Sequence, residues 1–580
     1  TVTAAAASYT GAAAYDPKTL IAPAPPVPPI ATSVPVQLTN GRTNGLSMPQ
    51  KGSFFGFSIE MSVAQQVVGK NSTLLQVPFL NLMSNIVARA GSVNVRVGGN
   101  TQEAAVLVPS LVNNTIIAKD TSIPGTPRIQ YTSDLLYMMA NVSQLVNVWW
   151  YLGIPFYNTT PFDLSIAQEA EAILGDRLLA LQAGNEPDLY ALHGHRPLGY
   201  SPASYLTDFD NLITQVASDA SIPRQQNLWL VASSETGQSN LSPWNLTQVW
   251  GTGIVDKYIV QVHALTVQRY FNHNCGAVLG QGVVVDPQTV IGTFLSHNNV
   301  LSFVNQYNTT VPVALQAGKP LLMYETNSVS CSGFVGISDS FVAALWGLDW
   351  ALSLAASNFS GANFHIGGQN AYYNPFTPPP TNQTTFRQWS VGPIYYSALV
   401  VAEALGSSNQ SQVVDLQLNN AADQTPGFAI YEKGAPTKLV LINYINDPTG
   451  AQAYTAQISI GGGTTGQPAA NPSSVRVKRL SAASVTQKGN LTWAGQTFGN
   501  SFESDGRPMG NETVEQIPCD ASTNTCSVKV NAPEAVLVFL TDTAFQSVES
   551  HSAVTFATST QTVIVVPTSV LATSNGHSGF

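Results

Sequence analysis

The acidic side chains that could do chemistry are four glutamates at the ends of short apolar runs. Glu60 ends FFGFSIE, Glu186 follows LLALQAG in AGNEPDLY, Glu235 ends NLWLVASSE and Glu325 ends PLLMYE. Charged residues make up only 10% of the chain, so a glutamate at this repeated position is informative. Hydrolysis of a glycosidic bond needs two carboxyl groups, one protonated and one ionised. The four glutamates are therefore candidates for that chemistry.

These glutamates belong to a repeating pattern in which apolar runs alternate with amphipathic helical segments. Each run is short and ends in polar or glycine residues, as buried parallel strands do. The segments between them carry helix signals, such as Ser201 and Pro202 at the start of an apolar face that continues to Val216. The eight runs are FFGFSIE from Phe54, VNVRVGG from Val93, VNVWWYLGI from Val146, LLALQAG from Leu178, NLWLVASSE from Asn227, YIVQVHAL from Tyr258, PLLMYE from Pro320 and ANFHIGG from Ala362.

Eight βα units close most economically as a (β/α)8 TIM barrel, an α/β fold with its active site at the C-terminal ends of the strands. A doubly wound open sheet is the competing fold. It normally carries a glycine-rich phosphate loop after its first strand, and FGFSIEMSV is not such a loop. We therefore predict a catalytic barrel over residues 50–405.

The remaining segments predict a second domain and two flanking pieces. Residues 406–550 contain strand-like runs separated by Gly, Asn and Pro, which predicts a C-terminal β-sandwich domain. Residues 1–49 include a Pro-rich stretch that is either a linker or an extended strand along the edge of the sandwich. Residues 551–580 form a Ser/Thr-rich tail that we expect to pack partly on the sandwich. Cys519 and Cys526 are placed to staple a hairpin.

The composition limits the classes of molecule that the protein is expected to bind. The chain has 23 basic and 33 acidic residues, a formal net charge of −10, and no basic run. Nucleic acids and polyanionic substrates need clustered Lys and Arg, so neither is expected. No stretch is long and apolar enough to predict a membrane span. An uncharged or acid-tipped small ligand fits better.

Several features predict a secreted, extracellular protein. The chain begins TVTAAAASYT without a charged and apolar leader, as if a signal peptide had been removed. Its four cysteines lack metal-binding spacing and suit two disulfides in an oxidising compartment. Candidate glycosylation sites are Asn71, Asn113, Asn141, Asn158, Asn240, Asn245, Asn308, Asn358, Asn382, Asn409, Asn490 and Asn511.

An Asn directly before the glutamate of the fourth run, with a second glutamate on the seventh, resembles glycoside hydrolase clan A barrels. The resemblance implies that Glu186 is the acid/base, Glu325 the nucleophile, and Asn185 a hydrogen-bond donor to the sugar 2-hydroxyl. Strands four and seven lie across the barrel mouth, so these side chains can face a sugar from opposite sides. Burial and the two negative charges should raise the pKa of the acid. Glu235 would replace Glu186 only if the strand count were off by one; otherwise it makes a loop hydrogen bond or an N-cap.

A narrower resemblance rests on GFSIEMS, RVGGNTQE, GNEPDLY, VHALTVQRYF, YETNS and GQNAYYNPF, spread over about residues 50–400. This set is similar to glycoside hydrolase family 79, the β-glucuronidases that include the heparanases. The resemblance implies a site for a terminal glucuronic acid. Glu60 would accept hydrogen bonds from sugar hydroxyls, and Tyr270 and Tyr372 would line the pocket, with Tyr372 near the sugar carboxylate. Gly98 and Gly99 would let the backbone approach the sugar closely.

Two points about the residues that would bind the sugar remain open. Ser330 stands where some relatives have Tyr, which leaves the contacts to the sugar carboxylate and the acceptance of a 4-O-methyl group undecided. Tyr373 could take the role given to Tyr372, and core packing is the alternative for either tyrosine.

Other residues carry weaker signals. His263 lies inside the sixth run and either orients the nucleophile or is a core histidine. His193 and His195 suggest a metal, but no third ligand stands at matching spacing, so neither a metal nor another cofactor is expected. Cys275 and Cys331 follow neighbouring runs, and we expect a disulfide beside Glu325. Trp149 and Trp150 point to opposite faces of a strand, so packing is the default for both.

The sequence thus predicts a retaining exo-β-glucuronidase that releases terminal glucuronic acid, with or without a 4-O-methyl group, from a carbohydrate. Three alternatives remain. The first is an endo-acting, heparanase-like hydrolase, which the absence of a basic groove disfavours. The second is a clan A glycosidase for neutral plant polysaccharides such as xylan. The third is a catalytically inactive carbohydrate-binding glycoprotein.

Overall fold

The computed structural model describes residues 18–41, 43–120, 122, 126–235, 244–280, 282–379, 389–499, 504–549 and 552–557. Eight parallel strands close into a barrel, and each overlaps one of the eight predicted runs, in the same order, although the sixth and seventh strands extend well beyond their runs. The closed sheet confirms the TIM barrel and rules out the doubly wound alternative. Barrel strands 1 to 8 are Phe55–Glu60, Val93–Gly98, Val148–Ile154, Leu178–Ala183, Trp229–Ser234, Val262–His273, Leu321–Ser330 and Gly361–Ile366.

Helices follow the strands and cover the barrel. The predicted start of one of them is confirmed, because Ser201 accepts a hydrogen bond from the amide of Ser204 at 3.3 Å and Pro202 is the first helical residue. The helix Phe341–Ala356 is buried almost all round, since it lies between the barrel and the C-terminal domain. The main barrel helices are Val77–Ala90, Asp134–Leu145, Ser165–Leu174, Pro202–Ala217, Leu246–Gly251, Ile254–Lys257, His297–Val304, Thr310–Ala317, Phe341–Ala356 and Pro393–Leu405.

Two kinds of packing hold the barrel. Outward-facing strand residues join the helices in one large apolar core. Inside, side chains from strands 3 to 7 form a smaller layer. A packed interior of this kind closes the barrel from below and leaves only its upper end as a site. The interior layer consists of Tyr151, Ala180, Leu230, Ala264, Leu322 and Tyr324.

The C-terminal domain is a ten-stranded sheet that curls around its own apolar core. Val34 and Val36 at one edge share that core with Leu439 and Val538 from the other half, so the two halves pack face to face as a sandwich. The strands are Ser33–Leu38, Gln412–Asp415, Gly427–Glu432, Ala435–Asn443, Tyr454–Ile460, Ser474–Ser481, Thr492–Trp493, Glu515–Asp520, Thr525–Val530 and Glu534–Phe539.

Both flanking segments are tied to the rest of the chain. The strand Ser33–Leu38 runs parallel to Tyr454–Ile460 at the edge of the C-terminal sheet. In the tail, Phe556 exchanges two backbone hydrogen bonds, of 2.8 and 3.0 Å, with the side chain of Asn81. Asn81 lies on the barrel helix Val77–Ala90, so at this point the tail contacts the barrel and not the sandwich.

The disulfide Cys519–Cys526 joins the two strands of the predicted hairpin. Among the candidate glycosylation sites, Asn240 and Asn382 lie outside the described residues, and Asn71 and Asn358 are half-buried. The remaining candidates are exposed and free of steric cover: Asn113, Asn141, Asn158, Asn245, Asn308, Asn409, Asn490 and Asn511. Over the described ranges, no helix is long and apolar enough to cross a membrane.

Candidate active site

Glu186 and Glu325 stand at the C-terminal mouth of the barrel on strands that face each other across it. Glu325 lies within barrel strand 7, whereas Glu186 follows barrel strand 4 on a turn through Gly184 and Asn185. Glu186 has a left-handed backbone conformation, with φ of 50° and ψ of 54°. Both residues are buried, with 9% of Glu186 and 7% of Glu325 exposed. Both carboxyl groups are therefore largely shielded from solvent at the mouth of the barrel.

The surroundings of Glu325 favour its ionised form. Arg96 donates a hydrogen bond to Oε2, and the hydroxyl of Tyr270 donates to Oε1 at 2.8 Å. His365 Nδ1 lies 3.8 Å from Oε2. Burial by itself would raise the pKa of Glu325, but His365, Arg96 and the Tyr270 hydrogen bond together lower it below its ordinary value. A carboxylate that is ionised and oriented by two donors has the properties of a nucleophile.

The surroundings of Glu186 favour its protonated form. Burial raises the pKa of this carboxyl well above its ordinary value, and the negative charges of Glu235, Glu325 and Asp188 raise it further. Arg96 opposes this shift without reversing it. The two facing glutamates therefore have pKa values pushed in opposite directions, which is the division that general acid and nucleophile require.

Glu235 lies at the end of barrel strand 5, next to Glu186. Its backbone amide donates to Asp188 Oδ1 at 3.1 Å. Burial raises the pKa of Glu235 to about 8, with Asp188 and Glu325 adding to the shift. The strand count is as predicted, so Glu235 does not take the place of Glu186; when Glu235 is ionised, its charge raises the pKa of Glu186.

Arg96, which the sequence analysis did not single out, connects the polar groups of the mouth. This side chain is fully buried in barrel strand 2. Besides Glu325, it donates to Ser58 Oγ at 3.0 Å, Gln182 Oε1 at 2.8 Å and Asn185 Oδ1 at 2.7 Å. The planar guanidinium fork can satisfy several acceptors at once, so one residue fixes both Glu325 and Asn185.

Four hydrogen bonds hold the side chain of Asn185. Its Oδ1 accepts from Arg96, from Gln268 at 2.8 Å and from Gln182 at 3.2 Å. Its side-chain nitrogen donates to Asn100 Oδ1 at 2.8 Å. The amide of Asn185 is therefore fixed in one orientation at the mouth, beside Glu186.

Glu60, at the end of barrel strand 1, and the glycines Gly98 and Gly99, at the end of barrel strand 2, lie on another side of the barrel mouth. Glu60 Oε1 accepts from both the amide and the hydroxyl of Thr101, the former at 3.1 Å. A Cβ at Gly99, which has φ of 88°, would lie 2.3 Å from Glu60 Oε2, and one at Gly98 would lie 2.5 Å from Gln102 Oε1. The glycines therefore make room for the side chains of Glu60 and Gln102.

The tyrosines of the mouth are distributed differently from the prediction. Tyr270, Ala371 and Tyr373 form a small buried cluster, and the Tyr373 ring lies 6.1 Å from that of Tyr270. Burial raises the pKa of Tyr373, as do Glu325 and Glu60. Tyr372 is half-buried and its amide donates to Ser332 O at 2.8 Å. Tyr373, the alternative to Tyr372, thus packs beside both Tyr270 and His365.

The expectation that His263 orients the nucleophile is wrong. His263 is the second residue of barrel strand 6, near the end of that strand opposite to the mouth, and its pKa is lowered to about 4 by burial. Its ring lies 6.2 Å from that of Tyr151 in the interior layer. The histidine beside the nucleophile is His365 on barrel strand 8. A polar residue facing inward near a strand end, as in NFHIGG, is the signal that would have found it.

The remaining predicted features lie beside the site or elsewhere on the barrel. The disulfide Cys275–Cys331 is present and joins the ends of barrel strands 6 and 7, beyond Glu325. Trp150 is fully buried, and its indole donates to Ser143 on a barrel helix. Trp149 packs under Arg177. His195 stacks on Tyr157 with ring centroids 3.6 Å apart. No cluster of three or more potential metal ligands occurs in the part of the chain that the structure describes.

Comparison with known proteins agrees with this architecture. Residues 427–537 match the family model of the glycosyl hydrolase family 79 C-terminal beta domain. A beta-glucuronidase of Aspergillus niger is 26% identical over 505 residues, which cover 81% of this chain and 86% of that protein. A beta-glucuronidase of Neurospora crassa is 27% identical over 431 residues, covering 68% and 73% respectively.

Solved structures share the fold. A 4-O-alpha-L-rhamnosyl-beta-D-glucuronidase from Fusarium oxysporum 12S superposes with a TM-score of 0.69 at 20% identity, over 87% of this chain and all of that one. A family 51 alpha-L-arabinofuranosidase from Bifidobacterium longum gives a TM-score of 0.56 at 14% identity, over 88% of this chain and all of that one. With a barrel fold shared with these solved structures, a β domain that matches the family 79 model and two fungal relatives that span most of its length, the chain is similar to the β-glucuronidases of glycoside hydrolase family 79.

Proposed function

We propose that this chain is a retaining exo-β-glucuronidase that releases a terminal glucuronic acid from a carbohydrate. One observation carries the proposal: two buried carboxyl groups share a barrel mouth, with the pKa of Glu186 raised and that of Glu325 lowered. The two fungal relatives are named beta-glucuronidases, which supports the choice of sugar. The two disulfides and the exposed sequons support secretion.

The reaction follows from the two protonation states. Glu325 attacks the anomeric carbon while the bond from that carbon to the leaving oxygen breaks, and the proton of Glu186 passes to that oxygen. The products are the free leaving group and a glycosyl ester on Glu325. Glu186, now ionised, takes a proton from water, and the resulting hydroxide displaces Glu325 from the anomeric carbon. Two inversions give net retention.

The other groups of the mouth have roles in holding the sugar. Arg96 and Tyr270 orient the attacking carboxylate, since each donates to one of its oxygens. Asn185 is placed to bind the 2-hydroxyl, and Glu60 to accept from other sugar hydroxyls. The hydroxyl of Tyr373 offers a donor for the sugar carboxylate, since that of Tyr270 already donates to Glu325.

The test is turnover of an aryl β-glucuronide by the wild type and by Glu186→Gln and Glu325→Gln. Each carboxyl is part of the chemical step, so we expect kcat to fall by at least about 1,000-fold in both variants. Glu515→Gln is a matched control, because Glu515 is a half-exposed glutamate of the C-terminal domain, paired with Arg479. Equal activity in all four proteins would refute the proposal. Cleavage of heparan sulfate or xylan, with no action on the glucuronide, would favour one of the alternative hydrolases.

A further inference from the structure

The loop after barrel strand 2 contains a buried glutamate that the mechanism above does not use. Glu103 is 1% exposed and belongs to the short helix Asn100–Ala104. From there it reaches the loop that follows barrel strand 4. Its Oε1 accepts from the backbone amide of Asn185 at 2.5 Å, and its Oε2 accepts from the hydroxyl of Tyr190 at 2.8 Å. We propose that Glu103 is a positioning residue for the acid/base Glu186; this inference rests on the proposed function.

The loop that carries Glu186 needs to be held. A left-handed backbone is unfavourable for a residue with a side chain, and Glu186 adopts it. Such a conformation persists only when its neighbours fix it. Two backbone hydrogen bonds do so from one side: Glu186 N to Ser233 O at 3.2 Å and Leu189 N to Glu186 O at 2.9 Å. Glu103 supplies the third constraint, on the peptide between Gly184 and Asn185, one peptide before that of Glu186.

Tyr190 also helps to hold the loop that carries Glu186. Gly184, the first residue of the turn, has φ of 85°, and a Cβ there would lie only 2.7 Å from the Tyr190 hydroxyl. The same hydroxyl donates to Glu103 Oε2. Glu103 therefore binds the amide of Asn185 directly. It also binds the hydroxyl of Tyr190, which lies close to Gly184 at the start of the turn.

The chemical state of Glu103 suits this role. Burial raises the pKa of Glu103 to about 8, although the amide of Asn185 and the hydroxyl of Tyr190 oppose the shift. In mild acid the carboxyl is therefore neutral. A neutral carboxyl can accept from the amide of Asn185 with one oxygen and keep its hydrogen bond with the Tyr190 hydroxyl through the other, and it places no further negative charge near Glu186. A glutamine can reproduce the same pair of hydrogen bonds; an alanine cannot.

The experiment compares Glu103→Ala and Glu103→Gln on two substrates with different leaving groups. An activated aryl β-glucuronide needs little protonation of its leaving oxygen, whereas a glucuronate-tipped disaccharide depends on the acid. If Glu103 positions the acid, Glu103→Ala lowers kcat/KM, which reports formation of the glycosyl-enzyme, by about 100-fold on the disaccharide and by less than about 10-fold on the aryl substrate. Glu103→Gln stays within about threefold of the wild type on both.

Two results would overturn the inference. One is an equal loss on both substrates in Glu103→Ala, and the other is a loss in Glu103→Gln as large as that in Glu103→Ala. If the alanine variant does not fold, Tyr190→Phe decides, because it removes only the hydroxyl that contacts Glu103. We expect a selective loss of about threefold to tenfold on the disaccharide; an unselective loss or none overturns the inference. A wild type that cleaves neither glucuronide refutes the proposed function itself, which distinguishes the two failures.

Discussion

Arg96 on barrel strand 2 donates a hydrogen bond to Glu325 on barrel strand 7, through the buried centre of the barrel mouth. The guanidinium also donates to Asn185, next to Glu186. One side chain therefore connects the proposed nucleophile, Glu325, with the loop that carries the proposed acid/base, Glu186. The charge of Arg96 also helps to keep Glu325 ionised, against the effect of burial.

Replacing Arg96 should separate its geometric role from its electrostatic one. Arg96→Lys keeps the charge but loses the planar fork, so we expect kcat/KM to fall by about 100-fold with little change in the acidic limb of the pH profile. Arg96→Met removes the charge as well, so the pKa of Glu325 should rise and the acidic limb should move to higher pH. Arg476→Met on the C-terminal domain is the control. Identical acidic limbs in the two Arg96 variants would contradict this account.

The pH dependence of activity should follow the two carboxyl groups. Glu325 must be ionised, so activity appears as pH rises through its lowered pKa. Glu186 must be protonated, so activity is lost as pH rises through its raised pKa. The negative charge of Glu235 contributes to that elevation, after burial.

Glu235→Gln removes this charge, so we expect the basic limb of kcat/KM to move down by about one pH unit while the acidic limb stays in place. Measurement of kcat/KM from pH 3 to 9 at roughly unit intervals is sufficient to detect the shift. An unchanged basic limb would show that Glu235 is not coupled to the acid. Glu515→Gln again provides the control for loss of a carboxylate far from the barrel.

A buried histidine joins the barrel to the C-terminal domain and should make stability depend on pH. His297 Nδ1 lies 2.9 Å from Asp349 Oδ1 on a barrel helix, and Nε2 lies 3.1 Å from Asp415 Oδ2 on a sandwich strand. Burial alone would lower the pKa of His297, but Asp349 and Asp415 outweigh it and raise the pKa to about 10. The Tyr444 hydroxyl donates to the other oxygen of Asp349 at 2.6 Å.

Because the folded pKa of His297 exceeds its unfolded value of about 6.5, its contribution is complete below pH 6.5 and is lost as pH rises toward 10. His297→Gln should lower the free energy of unfolding by about 3 kcal/mol at pH 6, and by less at pH 10. Urea denaturation at both pH values measures this. Arg476→Gln, which removes an exposed ion pair with Asp542, should cost less than about 1 kcal/mol. A loss in His297→Gln that is the same at both pH values would contradict the assignment.

The sequence predicted the barrel well because buried parallel strands are short, apolar and separated by amphipathic helices. The same reasoning located the glutamates at strand ends. Arg96 escaped it, since a charged residue inside an apolar strand can be recognised as a site residue only when its partners from other strands are known. His365 was missed although it is a polar residue near a strand end. His263 was misplaced for a related reason: membership of a strand does not say at which end of the barrel a residue lies.

The tyrosines and glycines show another limit. GQNAYYNPF offers two adjacent tyrosines, and only the loop geometry shows that Tyr373 packs against Tyr270. Asn327 fixes that geometry, because its side chain donates to the carbonyls of Tyr373 and His365, each at 3.0 Å. Such long-range hydrogen bonds have no periodic signature. The sequence likewise predicted a close approach at Gly99, but it did not show that the group accommodated there is the side chain of Glu60.

The most direct measurement uses a 2-fluoro-substituted β-glucuronyl fluoride, which forms the glycosyl-enzyme rapidly and releases it slowly. Mass spectrometry of the digested protein then identifies the labelled residue, with Glu325→Gln as the unlabelled control. The account predicts one added glucuronyl group, attached to the peptide that contains Glu325. Labelling of Glu186, Glu235 or any other residue, or cleavage of an aryl β-glucuronide with inversion and no label, would contradict it.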